Sequence, residues 1–192
     1  EYERTPELMT EARNLYGQHL EGAAPEWHTS MRSSYEHCYA EILLRHADVS
    51  DDSASLREAV PFCERVIAQQ TGAQRLGFAT YSAILRRMAE RDREQEVCDT
   101  ALEMAERAGA AAADQDVSNG DLGWALQRQT IAALLLLKHE MGEPSDLSAA
   151  QHAVDEALSN YTLNPHNFWI RPSRLADAMK TKAALQALGG VA

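Results

Sequence analysis

The chain has 192 residues, 45% hydrophobic and 24% charged, which is long enough for one well-buried core and ordinary for a soluble globular protein. Its 18 basic and 29 acidic side chains leave a net charge of -11, which repels nucleic acid and anionic lipid and favours solubility. The longest apolar run, Ile131 to Leu137, is far too short to cross a bilayer, so no membrane association is expected.

Ala, Leu, Glu, Gln and Arg dominate throughout and strand formers are not clustered, so the expectation is an all-α domain. The opening Glu1-Tyr2-Glu3-Arg4 is charged, unlike a signal peptide, and lacks a starting Met, as in a chain trimmed from a longer one. Thr5-Pro6-Glu7 then supplies a capping hydroxyl, a proline for the first helical position and an acid for the first turn. Leu8, Ala12, Leu15, Tyr16 and His19 mark one face of this helix, over 6–22, and Gly22-Ala23-Ala24-Pro25 ends it. Trp27 opens the next helix, through Met31, Tyr35, Cys38, Ile42 and Leu43, and the polar stretch from Asp48 to Ser55 reads as a loop.

Leu56, Ala59, Val60, Cys63, Val66 and Ile67 form the following stripe. Pro61 lies inside it: a helix starting near Asp52 or Ser53 has an interior proline, whereas one starting nearer Glu58 holds it in the tolerated first turn. The spacing predicts further helices over 74–89, 93–108, 121–141, 148–161 and 172–188. The stretch 109–120 reads as a frayed helix end followed by a flexible turn cluster, Asp114-Gln115-Asp116-Val117-Ser118-Asn119. Ser145 or Asp146 is the natural cap of the penultimate helix.

Self-similarity organises these segments. Leu76-Gly77-Phe78-Ala79 and Leu122-Gly123-Trp124-Ala125 each open an amphipathic stretch, with Trp27 and Phe168-Trp169 on either side. An aromatic returning every ~45 to 50 residues is the mark of a helical-repeat array, with Trp27, Phe78 and Trp124 as wedges between successive pairs. The alternate helices also overlay: Ala59, Cys63, Val66 and Ile67 match Glu94, Cys98, Ala101 and Leu102, then Ala150, Val154, Ala157 and Leu158. Ala12, Tyr16, His19 and Leu20 fit the same frame, so the chain opens halfway through a repeat.

These features resemble tetratricopeptide repeats. Glu11-Ala12, Glu58-Ala59-Val60 and Ala149-Ala150 look like the start of that family's second helix. Leu122-Gly123-Trp124-Ala125-Leu126-Gln127 and Pro25-Glu26-Trp27 are similar to a long-period bacterial variant. The pattern departs where Arg86 and Ala132 stand near the expected glycine and Glu94 takes a small-residue position. The resemblance implies a right-handed α-solenoid of antiparallel helix pairs over 26–71, 74–108 and 121–161. A partial repeat or capping helix precedes them at 6–22, a C-terminal capping helix follows at 172–188, and 1–192 forms one domain. It implies a non-catalytic scaffold that binds a protein or peptide, and its first helices map partner-binding positions onto Arg32, Tyr39, Thr80, Arg87, Gln129 and Ala133.

The remaining chemistry is weighed against that reading. Histidines are numerous, but Glu36-His37-Cys38 fans around its helix and His139 and Glu143 are separated by Gly142, so no metal site is predicted. No Gly-x-Ser-x-Gly turn or Gly-rich phosphate loop is present, which argues against an enzyme and a nucleotide cofactor. Cys38, Cys63 and Cys98 are too widely spaced for a secreted disulfide framework and sit in apolar stripes, suiting buried thiols in a reducing, cytoplasmic setting. Arg86-Arg87 and Arg91-Asp92-Arg93 pair with Glu90, Glu94 and Glu96 along the helix or, alternatively, Arg32, Arg87 and Arg128 point into the groove and hold an acidic peptide or ligand. Ile131 to Leu137 is apolar all round and calls for cover on several faces, by neighbouring repeats or by self-association through Leu136 and Leu137. Alternative functions are a ligand-sensing module of a larger protein, or a helical enzyme using Glu36, His37 or His139.

Overall fold

The computed structural model describes residues 6–22, 29–69, 74–113, 122–163 and 172–189, and among them the chain is all-helical. The eight helices are α1 (Pro6–Glu21), α2 (Thr29–Ser50), α3 (Ser53–Ala68), α4 (Gln74–Asp92), α5 (Gln95–Ala113), α6 (Leu122–Glu140), α7 (Leu147–Leu163) and α8 (Pro172–Gly189). None is long and apolar enough to cross a membrane. Trp27, Phe168 and Trp169 lie outside the described residues.

Two boundaries differ from the sequence expectation, and the start of α3 follows the first of the two alternatives, each for an identifiable reason. Helix α2 continues through Asp48 to Ser50 and stops where Asp51 takes a left-handed φ of 52°. Asp52 caps α3, its side chain accepting the Ala54 amide at 2.9 Å, so α3 starts early and Pro61 lies inside it. The missing Pro61 amide leaves one backbone bond unmade, a cost offset by the apolar stripe of Leu56, Ala59, Cys63 and Val66, all buried. Helix α5 runs through Gly109 to Ala113 rather than fraying at 109. A Cβ on Gly109 would stand 2.4 Å from the Gln127 side-chain amide, so this glycine is where α6 approaches α5.

The packing follows a two-row rule. Helices α2, α4, α6 and α8 touch in series, while α5 and α7 pack only on their sequence neighbours and α3 on its own two with an added Arg13–Glu58 pair to α1. Gly77 permits one of these approaches, because a Cβ there would lie 2.8 Å from Val66 Cγ1 on α3. The core is accordingly spread along the chain in three clusters. Leu43, Leu56, Cys63 and Ile84 join α2, α3 and α4. Phe78, Cys98, Met104 and Leu134 join α4, α5 and α6, and Ala132, Val154, Tyr161 and Leu185 join α6, α7 and α8.

Phe78 is buried as a wedge should be, with the Arg107 guanidinium 4.7 Å from its ring centre, whereas Trp124 is only half-buried. The run from Ile131 to Leu137 is covered on both sides: Leu134 and Leu137 enter the second cluster, Ala132 and Leu136 the third. Leu136 and Leu137 are thus core residues and offer no surface for self-association. Of the three cysteines, Cys63 and Cys98 are buried but Cys38 is exposed, because it falls between the two faces of α2 that pack.

Candidate functional site

On α2, His37, Glu41, Arg45 and Asp48 recur at three- and four-residue spacing, which places them along one helix face. On α4 the same spacing relates Glu90 to Arg86 and to Arg87, with Thr80 two turns before Arg87, and on α8 it relates Arg174 and Asp177. The three faces meet, with Gln129 of α6, in one polar network.

Asp177 is its centre. One carboxylate oxygen accepts from Arg86 Nη2 at 2.7 Å and from Gln129 Nε2 at 2.9 Å, with Arg87 Nη2 3.7 Å away. Arg86 and Arg87 also share Glu90, at 2.7 and 2.9 Å, and Arg87 Nε reaches Asp48 at 3.0 Å. Gln129 donates in addition to the Arg174 carbonyl at 3.2 Å and accepts from the Tyr161 hydroxyl at 2.7 Å. Its orientation is therefore set on both sides of the amide.

Glu41 is the second node. It accepts from Arg45 at 2.8 Å, from Arg174 of α8 at 3.0 Å and from the Thr80 hydroxyl at 3.0 Å. Since the Thr80 proton is committed to Glu41, its oxygen accepts from His37 Nε2 at 3.0 Å, which makes His37 the donor.

Four carboxylates (Glu41, Asp48, Glu90, Asp177) thus face four guanidinium groups (Arg45, Arg86, Arg87, Arg174). Burial alone would raise Glu41, but Arg174 and Arg45 outweigh it and hold the carboxyl at about 2. Burial likewise opposes ionisation of Asp177 and Glu90, and Arg86 and Arg87 again prevail, keeping both below the usual carboxylate range. Asp48 goes the other way, its pKa raised by burial that Arg87 only partly offsets. His37 is lowered, chiefly by burial and further by Arg45 and Arg174 against the pull of Glu41. In this network Glu41, Glu90 and Asp177 are thus held as carboxylates near neutral pH, each paired with guanidinium groups. Beside it a cleft of about 560 Å³ is lined by Asp48, Arg87, Glu90, Arg91, Asp177 and Lys180.

The sequence-derived positions divide. Thr80, Arg87 and Gln129 come together in this network. Ala133, one turn beyond Gln129 on α6, is buried. Tyr39 is elsewhere: it is 5% exposed, donates to Glu58 at 2.7 Å and stands edge-on to Phe62, among α1, α2 and α3. Arg32 is half-exposed near the start of α2, 3.5 Å from Glu36. Arg128 pairs with Glu156 on α7, away from the network.

The residues proposed for enzymatic chemistry do not converge either. Glu36 is 1% exposed and engaged by Arg65 at 2.9 Å, and His139 is exposed at the end of α6. Among the described residues no group of three or more His, Cys, Asp or Glu side chains is arranged to hold a metal ion. Glu41, Asp48, Arg174 and Asp177 were missed by sequence reasoning. The periodic polar face 37-41-45-48 on α2 and the Arg174-x-x-Asp177 spacing on α8 were the available signals.

Compared with known proteins, the chain matches no family model, no curated protein and no solved structure.

Proposed function

We propose that this chain is a non-catalytic scaffold of the tetratricopeptide type, a right-handed solenoid of antiparallel helix pairs. Its α2, α4 and α6 face receives an acidic helix or peptide. The two-row packing and the close approach at Gly77 support the architecture. The observation that carries the function is Asp177 on Arg86, Arg87 and Gln129: a carboxylate from one helix held by a guanidinium pair and an amide on two others. A partner carboxylate would meet the same donors, and the bidentate geometry of arginine gives such a contact direction as well as charge. A cytoplasmic setting suits the buried thiols of Cys63 and Cys98.

The test is partner capture with the tagged chain and with Arg87→Glu, each checked by circular dichroism and thermal melting. Arg87→Gln replaces the charge reversal if the latter does not fold. A partner retained by the wild type and lost from the folded variant is the expected result. Identical captures by both, or none by either, would remove the reading. The cleft of about 560 Å³ favours a second reading, a ligand-sensing module, because its size suits a small polar molecule. That reading predicts a ligand-dependent rise in melting temperature in a metabolite screen.

A further inference from the structure

Helix α8 is held by two unlike sets of contacts. Ala178 and Leu185 enter the apolar cluster with α6 and α7, whereas Arg174 and Asp177 reach across to α2 and α4 through charges alone. Those bridging side chains are 18% and 20% exposed, so water and salt reach the bridge from the α8 side, while Glu41 and Arg86 beneath them are buried. Among its described residues α8 buries only Ala178, Thr181 and Leu185, while α4 buries eleven. Met179 and Leu188 stay 58% and 40% exposed. An element with few buried apolar residues opens at lower free energy than the rest of its domain.

The seat under α8 is also incompletely filled. Exposed Ala176 borders the cleft of about 560 Å³, and Asp48, Asp51 and Glu90 line it with Arg87 and Arg91. A helix with a longer side chain at that place would occupy space that α8 leaves open.

We propose that α8 is a built-in, displaceable occupant of the α2, α4 and α6 face, and that the surface takes a helix presenting an arginine and an aspartate three residues apart. Resting on the scaffold reading above, this inference adds the chemistry of the partner and the contact it must replace. Arg174 and Asp177 are the template: the arginine answers Glu41, the aspartate answers Arg86, Arg87 and Gln129. A competing helix pays for α8 release and so binds more weakly than to an empty face, by the factor set by the closed population.

A fluorescein-labelled peptide of residues 172–189, titrated by anisotropy against the full chain, tests this. Binding to full-length Arg174→Glu/Asp177→Arg, whose own α8 no longer matches, is expected to be at least about tenfold tighter than to the wild type. The same peptide carrying Asp177→Arg is expected not to bind. No binding to the folded double variant, or equal binding of both peptides, overturns the proposal. Should the double variant not fold, hydrogen exchange on the wild type decides. Amides of 175–188 exchanging about tenfold faster than those of α4, and faster still in 1 M salt, support a displaceable helix. Protection equal to that of α4 overturns it.

Failure here is distinguishable from failure of the scaffold reading. Captured partners that need Arg87 but hold the wild type and the α8 double variant equally well would keep the scaffold and remove the competition.

Discussion

Gly77 offers a quantitative test of how closely the helix rows pack. Alanine at a helical glycine is ordinarily stabilising, by about 1 kcal/mol. At Gly77 the added methyl would stand 2.8 Å from Val66 Cγ1 and 3.4 Å from Ile67 Cγ1. Carbon atoms prefer roughly 3.5 to 4.0 Å, so α3 and α4 would have to part by several tenths of an ångström or more. Val66 is fully buried and β-branched, with no spare rotamer to yield into. Overpacking of this kind costs about 1 to 3 kcal/mol, so the net effect of Gly77→Ala is a loss of about 1 kcal/mol.

Val66→Ala should itself cost about 2 kcal/mol, two buried carbons plus a small cavity. It also removes the clashing atom and leaves the new methyl 3.4 Å from the Cβ at 66. In that background Gly77→Ala should turn stabilising, giving a coupling of about 2 kcal/mol in a double-mutant cycle. Urea unfolding of the four proteins, followed by circular dichroism at one pH, measures it. If Gly77→Ala stabilises the wild type, or if the two changes simply add, the close approach is not what the glycine provides.

Other consequences are as specific. Glu41, held at about 2 against an ordinary value of 4.5, stabilises the fold fully above pH 4.5 and loses that contribution as pH falls towards 2. Asp177 and Glu90, also depressed, act in the same direction, and raised Asp48 opposes them. Between pH 6 and pH 3 the wild type should lose about 2 kcal/mol more than Glu41→Gln in urea titrations, and parallel curves would contradict the assignment. A water-soluble disulfide reagent should consume one thiol, that of Cys38, in the native protein. Cys63 and Cys98, buried and with thiol pKa values raised by burial, should react only on unfolding, and three fast thiols would be inconsistent with this packing. Phe78→Ala should cost about 3 to 5 kcal/mol, and Trp124→Ala less because that ring is half exposed; thermal melts showing the reverse order would overturn the burial ranking.

Much of the local structure could be read from the chain because local forces set it. Thr5-Pro6-Glu7 and the apolar stripe of α3 point to helices whatever surrounds them, and Ala59, Ala101 and Ala157 stand at the overlaid small-residue positions and are buried. Where a distant residue decides, the reading slipped. Gly109 reads as a helix end, yet Gln127 of α6 packs against it and the helix continues. Tyr39 lies on the same helix as Glu41, but Glu58 and Phe62 of α3 turn it into the first core cluster. Arg128 was grouped with Arg87 by charge, and Glu156 of α7 draws it to the other side of α6.

The reach of α8 was the least legible feature, and the reason bears on function. A guanidinium group pairs almost equally well with any carboxylate that packing brings near, so 18 basic and 29 acidic residues allow a great many pairings. Arg174 and Glu41 are 133 positions apart, and neither carries a local mark of the other. That is also why the contact suits exchange. Apolar interdigitation, as at Val66 and Gly77, is specific to one neighbour and lost on any substitution of it. A charged seat such as Arg86, Arg87 and Gln129 accepts a carboxylate from whichever helix delivers it. Helices α3 and α4 are joined by the first kind of contact, and α8 reaches α2 and α4 by the second, so under the proposal above the exchangeable chemistry lies on the face where a partner helix would compete.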